Sequence, residues 1–113
     1  MAFDEGVAER IREELGDRPD IGEKKMFGGI AFMHSGHMCC GVVGDVLMVR
    51  VGPGAYAEAL SRPYTREMDF TGRALKGFVY VDPRGFDEDG QLHDWIDLCL
   101  SFTGSLPAKQ VIK

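Results

Sequence analysis

The sequence predicts a two-layer α+β sandwich, with a mainly antiparallel sheet and helices on one face. Three observations lead there. The apolar period is about 3.6 near the N-terminus, falls to about 2 between Lys24 and Val51, and returns to about 3.6 after Asp87. Ser35-Gly36 and Gly44-Asp45 sit between apolar runs, where two-residue hairpin turns are expected. The 113 residues suit a single domain, expected to occupy 1–113 with a loose tail from about residue 105.

The first helix is capped by Asp4, carries Val7, Ala8, Ile11 and Leu15 on one face, and stops at Gly16 and Pro19. Residues 24–27, 30–34, 38–43 and 46–51 read as strands. Gly28 and Gly29 supply a positive φ or a close strand approach at the first bend. A second helix is expected over 53–60, with Pro53 at its first position and Tyr56, Ala59 and Leu60 inward. Residues 66–70 and 76–81 form a further antiparallel pair around Thr71-Gly72. The last helix is expected over 87–102, its start marked by Asp87-Glu88-Asp89, where carboxylates complement the dipole. Leu92, Trp95, Ile96, Cys99 and Phe102 make its buried stripe, and His93, Asp94 and Asp97 face outward. The order is α-β(3–4)-α-β(2)-α.

Charge and cysteine usage narrow the function classes. With 13 basic and 18 acidic residues the net charge is −5, which disfavours direct nucleic-acid binding. No apolar run reaches the roughly 20 residues of a membrane helix, so no membrane association is expected. Cys39, Cys40 and Cys99 are an odd set with no CxxC pair, so reduced thiols and a cytoplasmic location are expected.

Counting outward from the two turns pairs Phe32 with Cys39 and Ala31 with Cys40, then Cys40 with Val49 and Cys39 with Arg50. Alternation gives the sheet two faces. Ala31, Met33, Met38, Cys40, Val42, Leu47, Val49 and Val51 make an apolar face for the helices to cover. Ile30, Phe32, His34, His37, Cys39, Met48 and Arg50 make the other, which a two-layer fold leaves to solvent. An apolar surface of that size marks an interaction face. The same alternation sets Cys39 and Cys40 on opposite sides, poorly placed to bridge.

Other constellations are weaker. His34, His37 and Cys39 read as H-x2-H-x-C on that face, but the spacing fits no zinc signature. Neither a metal nor another cofactor is expected. Lys24, Lys25, Arg73 and Lys76, with Arg50 nearby, are the candidate anion site, against the ordinary role of edge lysines in deterring aggregation. Gly52-Pro53-Gly54 lacks the length and the lysine of a phosphate loop. No nucleophile motif such as G-x-S-x-G is present, so no catalytic residue is assigned.

The run Lys24-Lys25-Met26-Phe27-Gly28-Gly29 resembles the basic-Met-Phe-Gly-Gly segment that opens the strands of the N-terminal domain in the TfoX/Sxy family. The likeness continues through the hairpins to Val51 and from Tyr64 to Phe70. It returns at Lys76-Gly77-Phe78-Val79-Tyr80-Val81-Asp82-Pro83 and at Leu92-His93-Asp94-Trp95, and so covers nearly the whole chain. The resemblance implies the same compact α+β fold, here as a stand-alone version of that domain, and no catalytic residues. Full-length members carry a second, helical domain and are associated with positive regulation of natural-competence genes. The expectation is a non-enzymatic interaction or regulatory module, acting as a homodimer or by binding a protein partner. The alternative is a small-molecule, anion or metal-binding domain using the second sheet face.

Overall fold

The computed structural model describes residues 3–26, 28–69 and 74–106. Helix α1 (Glu5–Leu15) starts at Asp4, whose carboxylate accepts from the N–H groups of Gly6 at 2.8 Å and Val7 at 3.3 Å. Strands β1 (Ile21–Met26), β2 (Gly29–His34), β3 (His37–Val43) and β4 (Val46–Arg50) follow as hairpins. Helix α2 (Tyr56–Leu60) is shorter than expected, with Pro53 and Gly54 in the turn before it. Strands β5 (Thr65–Asp69) and β6 (Ala74–Val81) come next; their connection lies outside the described residues, as do Phe27 and the expected tail from 107. Helix α3 (Asp89–Gly104) opens with a reciprocal cap between Glu88 and Gln91.

The strands form one antiparallel sheet in the order β1-β2-β3-β4-β6-β5. Ser35 (φ 51°) and Gly36 (φ 86°) make the mirror-image turn that suits a two-residue hairpin. At the first bend Gly28 adopts φ 74°, and a Cβ on Gly29 would collide with the carbonyl of Val42. Those two glycines therefore serve the two purposes expected of them.

The register departs from simple counting at one place. His34 pairs with His37 and Met33 with Met38, but Phe32 then pairs with Cys40 and Ala31 with Gly41. The extra residue is Cys39. A bulge there breaks alternation, so Cys39 and Cys40 both turn towards the helices. The assignment of faces changes with it, because one step of register exchanges the two sides of a strand.

The helix-covered face carries Ile30, Phe32, Cys40, Val42, Leu47, Val49, Val79 and Val81. Ala8, Ile11 and Leu15 from α1 and Leu92, Trp95, Ile96 and Cys99 from α3 close over it. The indole N–H of Trp95 donates to the Gly85 carbonyl at 3.1 Å. Phe102 is only half-buried, and Thr103 takes the inward place at that turn. The opposite face is crossed by one row in register, Lys24, Ala31, Gly41, Met48, Tyr80 and Arg66, from edge to edge.

Candidate functional site: a buried thiol cluster and a groove beside Tyr64

The residues expected to form an exposed interaction face do not form one. Ile30, Phe32 and Cys39 lie in the core beneath the helices, each at most 4 % exposed. Met48 is also fully buried, but its register with Gly41 and Tyr80 sets it on the far side of the sheet. His34 is buried, while His37 and Arg50 are half-buried. The Arg50 guanidinium lies 5.3 Å from the ring centre of Phe78 and 5.4 Å from that of Phe102. The physical reason is the bulge: it sends β2 residues that counting had placed outward into the core.

The candidate anion residues are not gathered into one place either. Lys24 and Lys25 are exposed on edge strand β1, opposite Ala31 and Ile30. Lys76 belongs to β6, four strand spacings away, or roughly 19 Å across the sheet. Arg73 and the Lys76 side chain lie outside the described residues.

What the bulge assembles is a set of thiols. The sulfurs of Cys39, Cys40 and Cys99 all lie within 4.8 Å of one another, and all three residues are buried. Cys39 Sγ is 2.8 Å from Cys99 Sγ, so β3 and α3 meet at a sulfur pair. The Thr103 hydroxyl lies 2.7 Å from Nδ1 of His34 and 2.9 Å from the Cys99 carbonyl, and Nε2 of His34 lies 2.9 Å from an Asp20 carboxylate oxygen. A doubly protonated ring donates to both neighbours. In a neutral ring that donates to Asp20, the Thr103 hydroxyl turns from the Cys99 carbonyl to donate to Nδ1.

Sulfhydryl contacts from Cys40 and then Cys99 oppose the penalty of burial and hold Cys39 well below the ordinary thiol range. The Thr103 hydroxyl and the charge of His34 act in the same direction. Cys40 and Cys99 are pushed upward, chiefly by their contact with Cys39. For Asp20, desolvation raises the carboxyl pKa, but the hydrogen bond from His34 and its neighbours outweighs it and the net shift is downward. The expected H-x2-H-x-C grouping is thus replaced by Cys39, Cys40 and Cys99. Two of these thiols were separated in the reading by assumed alternation, and the third is 60 positions away from Cys39.

A second feature lies at the surface between the α2–β5 turn and α3. Arg62, Pro63, Tyr64, Gln91, Asp94 and Trp95 line a hollow of about 200 Å³. Arg62 and Asp94 also border a neighbouring hollow of about 360 Å³ that runs along α3 to Ser101. Arg62 is held by Glu58 at 2.8 Å, and its guanidinium stacks 4.7 Å from the ring centre of Trp95. Tyr64 has φ 65°, a strained conformation for a residue with a side chain. Its carbonyl accepts from Asp82 N–H at 2.8 Å, which fixes the turn. Tyr64 is 48 % exposed and is the exposed large apolar residue among the described ones. The sequence pattern leaves Pro63 and Tyr64 between the second expected helix and the next strand, with no role for Tyr64. The one local signal was an aromatic residue directly after that proline.

The fold defines a small α+β domain, and the family match that follows supports a regulatory or interaction-type one. The family model of the TfoX N-terminal domain matches residues 13–103, and the chain belongs to that family. It is not a known enzyme family. No curated protein and no solved structure matches the chain. Among the described residues no helix is long and apolar enough to cross a membrane.

Proposed function

We propose that the domain is a non-enzymatic interaction module that pairs with a second copy of itself through the groove beside Tyr64. The observation that carries this reading is the exposed Tyr64 ring, held on a left-handed backbone next to a hollow of about 200 Å³. An apolar cavity of about 150 Å³ admits benzene, so this hollow has room for a phenol ring. Protrusion and recess side by side are self-complementary about a two-fold axis, the commonest route to a homodimer. Trp95 and Arg62 would flank the inserted ring, and Asp94 would accept from its hydroxyl. Tryptophan, tyrosine and arginine are the residue types that dominate interface energetics.

The competence-related regulatory role implied by the resemblance is proposed to run through protein contact, because a net charge of −5 suits a protein partner better than a phosphate backbone. A cytoplasmic location is proposed on the three free cysteines.

Sedimentation velocity over a wide concentration range tests the pairing. Wild-type chain should pass from monomer to dimer in the micromolar range. Tyr64→Gly should stay monomeric while keeping or gaining stability, since glycine relieves the positive φ. A wild-type chain that is still monomeric at high micromolar concentration overturns the proposal.

A further inference from the structure

We propose that Cys39 and Cys99 are a redox-active pair, oxidised by hydrogen peroxide or a similarly small peroxide to a disulfide that joins β3 to α3. The sulfurs stand 2.8 Å apart, and a disulfide needs about 2.05 Å. Closing that gap asks for a small side-chain adjustment between two elements already packed together.

A metal centre is the competing use of three clustered thiols, and two observations weigh against it. Tetrahedral zinc–thiolate bonds of about 2.3 Å hold their sulfurs roughly 3.8 Å apart, so the closest pair would have to open by about an ångström. Three thiolates around a divalent ion would also leave a net negative charge in the core as the resting state. The disulfide is neutral. Cys40 is the less suitable partner for Cys39, since a bridge between adjacent residues strains the intervening peptide.

The reaction balances as follows. The Cys39 thiolate attacks one peroxide oxygen, the O–O bond breaks, and the departing hydroxide takes a proton to become water. Cys39 is then a sulfenic acid. Cys99 gives up its proton and attacks Cys39 Sγ; the S–O bond breaks, and the departing hydroxide takes that proton as a second water. Two thiols lose two electrons in all, and one peroxide gains them. The hydrogen-bonded chain from Thr103 through His34 to half-exposed Asp20 offers the Cys39 proton a way out to solvent.

Burial adds a selectivity that a surface thiol would lack. All three cysteines are closed even to a water-sized molecule, so reaction waits on a local opening, and a small opening admits hydrogen peroxide before it admits a bulky aromatic disulfide reagent.

The test treats the full chain with hydrogen peroxide, then maps the cysteines by mass spectrometry without reduction. The expected product is a Cys39–Cys99 cross-linked peptide, about 2 Da lighter than the two thiol peptides together, and restored to them by dithiothreitol. Cys40→Ser should still form it, and Cys99→Ser should instead leave Cys39 as a sulfenic or sulfinic acid. Three unmodified thiols, a Cys39–Cys40 bridge, or sulfinic acid in wild-type chain with no cross-link would each overturn the proposal. Stoichiometric zinc or copper in protein prepared without chelator would overturn it in favour of a metal centre.

Discussion

Arg62 stacks its guanidinium 4.7 Å from the indole centre of Trp95 while bonding Glu58, so α2 is fastened to α3 across the groove. The stack covers one side of an indole that is only 3 % exposed. Trp95→Ala should therefore cost about 3–5 kcal/mol, the usual range for a deleted core aromatic. Arg62→Ala should cost roughly 1 kcal/mol, as a partly exposed cation–π contact. Urea unfolding of both variants checks the ratio; equal losses would mean that the indole is not seated in the core.

Phe32 gives the sharpest contrast between the two possible faces of the sheet. It is 1 % exposed and packed under the helices. Phe32→Asp should abolish folding, because the carboxylate would be buried without a partner. Circular dichroism at low protein concentration separates that outcome from a folded monomer, which a surface position would give.

The glycines supply a graded set. A Cβ on Gly41 would stand 2.5 Å from the Ile30 carbonyl oxygen and 2.6 Å from Cε of Met48, whereas one on Gly22 meets nothing within 4 Å. Gly41→Ala should cost about 1–3 kcal/mol through overpacking. Gly22→Ala should be close to neutral. Denaturation midpoints of the pair test the sheet register directly.

His93 lies on the exposed side of α3, and its Nδ1 is 2.8 Å from a carboxylate oxygen of Glu14 on α1. The hydrogen bond that the ring donates to Glu14, followed by that carboxylate's charge, raises the imidazole pKa above its ordinary 6.5. A raised folded-state pKa contributes stability that is fully present below 6.5 and is lost as pH rises through the folded value. His93→Gln should flatten stability over that window, with a small effect because the ring is exposed. A proton NMR titration placing His93 below 6.5 would contradict the pairing.

Oxidation has a thermal signature. A Cys39–Cys99 bridge would close a long loop and tie α3 to the sheet, so the oxidised chain should melt at least ~5 °C above the reduced one. Differential scanning fluorimetry with and without dithiothreitol reads the difference.

Local chemistry explains which parts of this molecule could be read from sequence. The turns at Ser35-Gly36 and Gly44-Asp45, the Asp4 cap and the α3 stripe from Leu92 to Cys99 depend on neighbours within a few residues, and the structure has them, with Thr103 rather than Phe102 closing the stripe. The bulge at Cys39 does not. It is stabilised by where Cys99 and Thr103 arrive from α3, which no counting from a turn can register. Tyr64 is similar: its positive φ is held by Asp82 and packing against Gly85, both remote in the chain. Both candidate sites thus lie where long-range contacts override local pattern.

The strand order also carries a kinetic consequence. Strands β1 to β4 follow one another as hairpins, and among the described residues β5 pairs only with β6, so the sheet is two units joined along the β4–β6 seam. Leu47 meets Val81 and Val49 meets Val79 on that seam, contacts that require closure of the intervening loop. The β1–β4 meander should gather first and the seam should zip last, since non-local pairing is slow. Amide exchange should then find the β5–β6 arm opening as a unit, well before the meander lets go.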